Sequence, residues 1–234
     1  MPRGLSSLRA RLAEGRVVGT FVKLPALESI DLCASALDFC VVDYEHSQLS
    51  EAEVLRLVRH ADALGFPAVV RIPQLDPGLV NRLLEAGAAG LQLSSVRRAE
   101  DVRALRAATR YAPDGRRSIS LAHPQAGYGG TPLRDYLGSA EPPLVVIQLE
   151  TRETDDPLSA IAGAGADVVF LGLTDLLVDC RLDESAAAAR ADEIGAAAAD
   201  AGVVLGGFGR EERFRYAVVS SDVALLREAV SGVR

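Results

Sequence analysis

Short apolar runs alternate with longer amphipathic segments along the chain. Most of these runs are apolar at every position instead of every second position, which is typical of parallel strands covered on both faces. This pattern predicts eight strands, at residues 16–23, 37–44, 67–72, 90–94, 143–150, 166–172, 202–208 and 216–221.

The segments between these runs carry the periodicity and the end signals of helices. Ser50 and Glu53 have the spacing of a capping box, and Asp76 followed by Pro77 is typical of a helix start. The predicted helices are 50–65, 76–87, 97–110, 183–202 and 221–230.

Eight strands with helices in most of the intervals predict an α/β fold, a (β/α)8 TIM barrel formed as a single domain by residues 1–234. An open, doubly wound sheet is the less favoured alternative, because the GxGxxG signature of that fold does not follow the first strand. The one long irregular segment is 111–142. A loop of this length in a compact domain is usually functional or part of an interface.

Composition and charge narrow the range of functions. The chain is 49% hydrophobic and 24% charged, with a formal net charge of −7 and few aromatic residues. These values argue against the basic surface and the stacking platforms of a nucleic-acid-binding protein. No apolar run is long enough to cross a bilayer, we recognise no secretory signal, and the three cysteines are isolated. We therefore expect a cytoplasmic protein without nucleic-acid or membrane partners.

Polar and charged residues stand at the ends of several predicted strands. In a barrel, the active site lies at the carboxyl ends of the strands, so these residues are the candidates for chemistry. They are Lys23, Asp43, Glu45, His46, Arg71, Gln148, Glu150, Thr174 and Asp175.

Glu150 and Asp175 follow adjacent strands and form the natural pair of metal ligands. Two carboxylates can hold a hard divalent cation and leave positions for water and a substrate. From spacing alone, the alternative of two solvated loop acids or helix N-caps stays open, because no compact metal motif such as HExxH is present.

Three basic side chains at strand ends have both a catalytic and a structural interpretation. Arg71 can bind a carboxylate or an enolate oxygen, or it can form an ion pair with a neighbouring acid. His46 can serve as a general base or can be a surface histidine. Lys23 is the only lysine, so a Schiff-base aldolase is an alternative, although the first strand carries no obvious partner that would activate it.

Seven segments taken together resemble one enzyme family, the HpcH/HpaI (hydroxyketoacid) aldolases, over about residues 17–226. They are, in chain order, GTFVKLP, LDFCVVDYEHS, VVRIP, LLEAGAAGLQL, YAPDGRRS, VIQLET and DVVFLGLTDL. The resemblance implies a (β/α)8 barrel and a class II, metal-dependent aldolase that acts on a pyruvate-type 2-keto acid and an aldehyde. It also implies a homo-oligomer built from dimers, such as a hexamer, and we expect the segment 111–142 and the C-terminal helix 221–232 at its interface.

The resemblance assigns a role to each candidate residue. Glu150 and Asp175 would be the ligands of Mg²⁺, Mn²⁺ or Co²⁺, Arg71 would steady the pyruvyl oxygen, and His46 would be the acid/base or would position a water. Asp43 would flank His46 in the catalytic group, and Glu85 matches the residue that pairs with it. The implied substrate-binding residues are Arg71, Gln148, Thr174, Asp175 and Glu45.

The chain departs from the family pattern around the substrate loops. Glu85 stands where the family usually has Asp, and both Ser94 and Leu173 stand where it usually has Pro. These departures leave two further functions open. One is metal-dependent decarboxylation of an oxaloacetate-like acid, and the other is a non-catalytic barrel that binds a keto acid.

Overall fold

The computed structural model describes residues 7–139 and 141–233. Its eight strands are all parallel and form a closed barrel in which the first strand pairs with the second and with the eighth. The predicted (β/α)8 barrel is therefore confirmed. The strands are β1 (Val17–Val22), β2 (Phe39–Asp43), β3 (Ala68–Ile72), β4 (Gly90–Leu93), β5 (Leu144–Leu149), β6 (Val168–Leu171), β7 (Val204–Phe208) and β8 (Tyr216–Ser221).

Helices occupy the intervals between the strands, and all five predicted helices are confirmed. The predicted capping box is formed, because the Ser50 hydroxyl accepts from the backbone N–H of Glu53 while the Glu53 carboxylate accepts from the backbone N–H of Ser50. The α-helices are α1 (Leu8–Glu14), α2 (Leu27–Ala36), α3 (Glu51–Ala63), α4 (Pro77–Glu85), α5 (Ala99–Thr109), α6 (Leu133–Ser139), α7 (Leu158–Ala162), α8 (Leu173–Asp179), α9 (Glu184–Asp200) and α10 (Asp222–Ser231).

The continuous apolar runs are explained by two layers of packing. Successive strand residues point alternately into the barrel and towards the helices, so both faces of β2 to β6 are buried, while β7 and β8 are partly exposed. Inside the barrel, the rings of Phe39 and Tyr216 pack with their centroids 4.4 Å apart. Gly19 leaves room for this pair, because a Cβ at that position would lie 2.7 Å from the Phe39 ring.

The segment 111–142 differs from the irregular loop that the sequence pattern indicates. It contains a 3-10 helix at Pro124–Gly129 and α6. Its own aromatic residues hold it together, since the Tyr111 and Tyr136 hydroxyls are 2.9 Å apart and the His123 ring packs edge-on against Tyr136. These contacts involve single residues spread along the segment, so they leave no helical periodicity in the sequence.

The last helix, α10, has no buried residue. Its exposed apolar side chains are those of Val223, Leu225, Leu226 and Val230. Within the described part of the chain, no helix has both the length and the apolar character needed to cross a membrane.

Candidate active site at the carboxyl end of the barrel

Asp43, the last residue of β2, is fully buried and organises one side of the barrel mouth. Its two oxygens accept from Arg71 Nε at 2.9 Å and Nη2 at 2.6 Å, and the Lys23 ammonium lies 2.8 Å away. The backbone N–H groups of Glu45 and His46 also donate to Oδ1. Burial opposes the ionised form, but Arg71 and Lys23 outweigh it and hold the pKa of Asp43 well below its usual value.

Arg71 is buried at the end of β3, directly beside Asp43 in the strand register. Its guanidinium stacks on the Phe21 ring at 4.5 Å, and its Nε is also 3.3 Å from Glu45 Oε2. Among the described residues, Nη1 makes no hydrogen bond, so one donor of a firmly held guanidinium stays available to a ligand. The structure thus shows the ion-pair interpretation of this arginine, and the pair with Asp43 fixes the orientation of the remaining donor.

His46 follows β2 and is the accessible member of this group, with a side chain that is 58% exposed. Its Nε2 lies 3.7 Å from Glu45 Oε2. That oxygen also accepts from the Ser94 hydroxyl at 2.6 Å, so Glu45 is held between β3 and β4. The imidazole therefore stands beside a fixed carboxylate at the edge of the mouth.

Glu150 directly follows β5, is buried, and accepts hydrogen bonds from Ser95 and Gln148. Oε1 accepts from the backbone N–H of Ser95 at 2.8 Å and from its hydroxyl at 2.5 Å, and Oε2 accepts from Gln148. Gln148 is oriented in turn by Gln92, whose Nε2 donates to its Oε1 at 2.7 Å. Gly172 leaves space for this carboxylate, because a Cβ there would lie 2.6 Å from Glu150 Oε2.

A cavity of about 400 Å³ lies between the residues that follow β2 and the residues that follow β5 and β6. Its walls include the carboxylates of Glu45, Glu150, Asp175 and Asp179 together with His46. Asp175 is exposed in the first turn of α8, next to Thr174, where backbone N–H groups lack intrahelical partners.

The donor set of this cavity fits a hard divalent cation. Within the described residues no group of three or more His, Cys, Asp or Glu side chains is arranged around a single point. Mg²⁺ is usually held by only one or two carboxylates and keeps several waters, so Glu150 and Asp175 with a substrate would be sufficient. Oxygen ligands alone do not select among Mg²⁺, Mn²⁺ and Co²⁺, so all three ions are compatible with this ligand set.

Two further candidate residues do not line this cavity. Lys23 donates to the backbone carbonyl of His46 and pairs with Asp43, so its ammonium group is engaged with the β2 end of the mouth. Glu85 is the last residue of α4, which runs back towards the amino ends of the strands, and its carboxylate accepts from Asn81. The predicted pairing of Glu85 with His46 is therefore not made within one chain.

Three polar residues of the site were missed by sequence reasoning, namely Gln92, Ser94 and Ser95. Gln92 lies within β4, and Ser94 and Ser95 follow it; the predicted strand 90–94 includes Gln92, between two leucines, and Ser94 at its end. The only available signal was that buried Gln and Ser side chains need hydrogen-bond partners.

Residues 18–220 match the family HpcH/HpaI aldolase/citrate lyase. A 4-hydroxy-2-oxovalerate aldolase of Novosphingobium aromaticivorans is 32% identical over 181 residues, which cover 75% of this chain and 68% of that protein. A hydroxypyruvate/pyruvate aldolase of Paraburkholderia phytofirmans is 30% identical, with 97% of both chains covered.

A solved structure agrees with these sequence matches. A HpcH/HpaI aldolase/citrate lyase family protein of Burkholderia cenocepacia J2315 superposes with a TM-score of 0.87 at 28% identity, covering 97% of this chain and 96% of that one. The resemblance that the sequence segments indicate is thus confirmed by independent comparisons. The chain belongs to the HpcH/HpaI aldolase/citrate lyase family and is a carbon–carbon lyase.

Proposed function

We propose that this enzyme is a divalent-metal-dependent aldolase that forms or breaks the C3–C4 bond of a 4-hydroxy-2-keto acid. A pyruvate-type 2-keto acid and an aldehyde are the two products of cleavage. One observation carries this proposal. Glu45, His46, Glu150 and Asp175 line one cavity, next to a buried arginine with a free donor. The names of the curated relatives, which include a pyruvate aldolase, agree with this substrate class.

Glu150 and Asp175 are the residues that we assign to a Mg²⁺, Mn²⁺ or Co²⁺ ion. The chemistry that such a cation supplies when bound is stabilisation of the negative charge that develops on the keto oxygen. Gln148 fixes Glu150 from behind, while Thr174 and Asp175 place the free N–H groups of α8 near the substrate carboxylate. Glu45 shapes the opposite wall of the cavity.

Arg71 stabilises the same developing charge from the protein side. Its free Nη1 donates to the enolate oxygen, and the paired Asp43 prevents the guanidinium from rotating away. A donor fixed before the reaction stabilises the transition state without a cost of reorganisation. Arg71 and Asp43 therefore act as one unit.

His46 is the group that we assign to proton transfer. In the cleavage direction, the proton of the 4-hydroxyl group passes to the base, the C3–C4 bond breaks, and its electron pair enters the enolate. C4 leaves as the aldehyde, and protonation of C3 gives the keto acid. Glu45, 3.7 Å from His46 Nε2, stabilises the imidazolium form that arises in this cycle.

Exchange of the pyruvate methyl protons tests the proposal directly. The full chain is incubated with pyruvate in D₂O and with Mg²⁺, Mn²⁺ or Co²⁺, and the methyl signal is followed by NMR. We expect metal-dependent exchange that is lost in Glu150→Gln and in Arg71→Lys, because Lys cannot reproduce the fork of Arg. Glu100→Gln, an exposed acid on α5, is the matched control and should exchange normally. A folded protein that shows no exchange with any of the three metals would contradict the proposal.

The same wild-type and variant proteins, assayed with oxaloacetate as well as pyruvate, separate the alternative functions. Release of CO₂ from oxaloacetate without aldol activity would identify the decarboxylase, and the family name includes citrate lyase as well as aldolases. Tight binding of pyruvate without exchange would indicate a non-catalytic barrel. Trapping of pyruvate on Lys23 by borohydride would replace the metal mechanism with a Schiff base.

We also propose that the chain forms a homo-oligomer through α10 and the segment 111–142. The exposed apolar side chains of α10 support a second copy as their partner. Light scattering on a sizing column should give a multiple of 24.7 kDa, and Leu226→Glu should lower it. A monomeric wild-type protein would refute this.

A further inference from the structure

Two adjacent serines follow β4, and each of their hydroxyl groups donates a hydrogen bond to a different acid of the barrel mouth. The Ser94 hydroxyl donates to Glu45 and the Ser95 hydroxyl donates to Glu150, on opposite sides of β4. No function described so far requires a hydroxyl at Ser95. Its geometry nevertheless is unusual enough to need a physical reason.

Ser95 has a φ of 52°, in the left-handed region that residues other than glycine seldom adopt. This conformation aims its backbone N–H and its side chain in one direction, so that both donate to the same atom, Glu150 Oε1. Strained backbone of this kind persists only where the surrounding structure fixes it, and it is frequent at functional sites.

The hydrogen bonds at Glu150 account for three of the four lone pairs of its carboxylate. Ser95 fills both positions of Oε1, and Gln148 fills one position of Oε2. Among the described residues, no donor occupies the second lone pair of Oε2, which can therefore accept a ligand. Because both described hydrogen bonds at Oε1 come from Ser95, this residue fixes one oxygen of the carboxylate while Gln148 fixes the other.

We propose that Ser95 is a positioning residue that presents Glu150 to a divalent cation. This inference rests on the proposed function, in which Glu150 is a metal ligand. Residues that hydrogen-bond to metal ligands fix their orientation, and their loss typically weakens metal affinity by about 10- to 100-fold. Ser95 has the contacts expected of such a residue, since it donates two hydrogen bonds to one ligand.

Substitution by glycine isolates the hydroxyl. Ser95→Gly removes Oγ but adopts a positive φ without penalty, so the backbone N–H still reaches Glu150. Ser95→Ala removes the same atom while keeping Cβ, and it serves as a second variant if the glycine protein folds poorly. The matched control is Ser94→Ala, which loses an equivalent hydroxyl one residue earlier, on Glu45 instead of Glu150.

The probe is Mn²⁺ alone, with the free ion measured by electron paramagnetic resonance during titration of the full chain. We expect Ser95→Gly to weaken Mn²⁺ binding by about 10- to 100-fold and Ser94→Ala to weaken it by much less. Pyruvate exchange by Ser95→Gly should be slow at limiting Mn²⁺ and should recover when Mn²⁺ saturates the protein. A merely structural role for Ser95 would instead lower the thermal midpoint, without recovery by Mn²⁺.

Two results would overturn the inference, and they are distinguishable. Unchanged Mn²⁺ affinity in Ser95→Gly and Ser95→Ala, together with its loss in Glu150→Gln, would reject the role of Ser95 and leave the proposed function intact. Wild-type protein that binds none of Mn²⁺, Mg²⁺ and Co²⁺, or Mn²⁺ binding that survives Glu150→Gln, would reject both.

Discussion

The ion pair between Asp43 and Arg71 should dominate the stability of the barrel mouth. Asp43 is fully buried, the Arg71 side chain is only 8% exposed, and two hydrogen bonds of 2.6 and 2.9 Å join them. The Asp43→Asn substitution keeps the shape but removes the negative charge. Arg71 then loses its bidentate partner and keeps only the Glu45 carboxylate, which lies 3.3 Å from its Nε.

The magnitude follows from this burial. Loss of one partner of a buried ion pair costs about 3–5 kcal/mol, because a charge remains without water or a partner. Lys23 contributes less to this cost, since its side chain is 25% exposed and can turn to solvent. For a chain of this size, about 3–5 kcal/mol corresponds to a fall of about 6–20 °C in the thermal midpoint.

Urea unfolding followed by circular dichroism, at one protein concentration, measures the effect. Glu100→Gln removes an exposed partner of Arg103, 3.0 Å away, and should cost at most about 1 kcal/mol. The double variant Asp43→Asn with Arg71→Met should be much less destabilised than the sum of its single variants, because it leaves no buried charge unpaired. Additive effects, or a loss in Asp43→Asn as small as in Glu100→Gln, would refute the reasoning.

Three further expectations follow from the same structure. Folding lowers the pKa of Asp43, so its contribution to stability is complete above about pH 4 and is lost as the pH falls below that value. Thermal midpoints measured at decreasing pH should therefore fall less steeply in Asp43→Asn than in wild type. Gly172→Ala should displace Glu150 and abolish Mn²⁺ binding while the circular dichroism spectrum stays native, since the new Cβ would lie 2.6 Å from the carboxylate; retained affinity would contradict this. Burial, with a smaller contribution from a neighbouring acid, raises the pKa of the Cys33 thiol to about 11. Cys33 and the fully buried Cys40 should therefore react with a thiol reagent only after unfolding. Rapid labelling of either cysteine in the native protein would count against this packing.

The barrel itself was predictable because a strand that is buried on both faces needs apolar residues at successive positions, and most of the eight strands show such a run. The eight runs needed no long-range information. Helices α7 and α8 were not predicted, since segments of five and seven residues are too short to show a periodicity. The fold of 111–142 was also missed, because it depends on Tyr111 and Tyr136 meeting across the segment.

The site was predictable only where strand ends carry its residues. Barrel topology brings Asp43, Arg71 and Glu150 to one end, so their position in the sequence was sufficient to select them. The pairing of Arg71 with Asp43 was open, because sequence does not show which neighbouring acid an arginine chooses. The contribution of Ser95 was beyond reach, because it depends on one left-handed backbone angle at the end of β4.

The distribution of charge in the mouth argues for a cation at one side of it. On the β2–β3 side, Asp43 is neutralised by Arg71 and Lys23. On the β5–β6 side, Glu150 and Asp175 form no ion pair with any described Lys, Arg or His, and Glu150 is held only by neutral donors. Burial of an acid such as Glu150 is costly unless the acid is paired or coordinates a metal. Because the described cations Arg71 and Lys23 pair with Asp43 on the first side, we propose a divalent ion as the partner of Glu150 on the second.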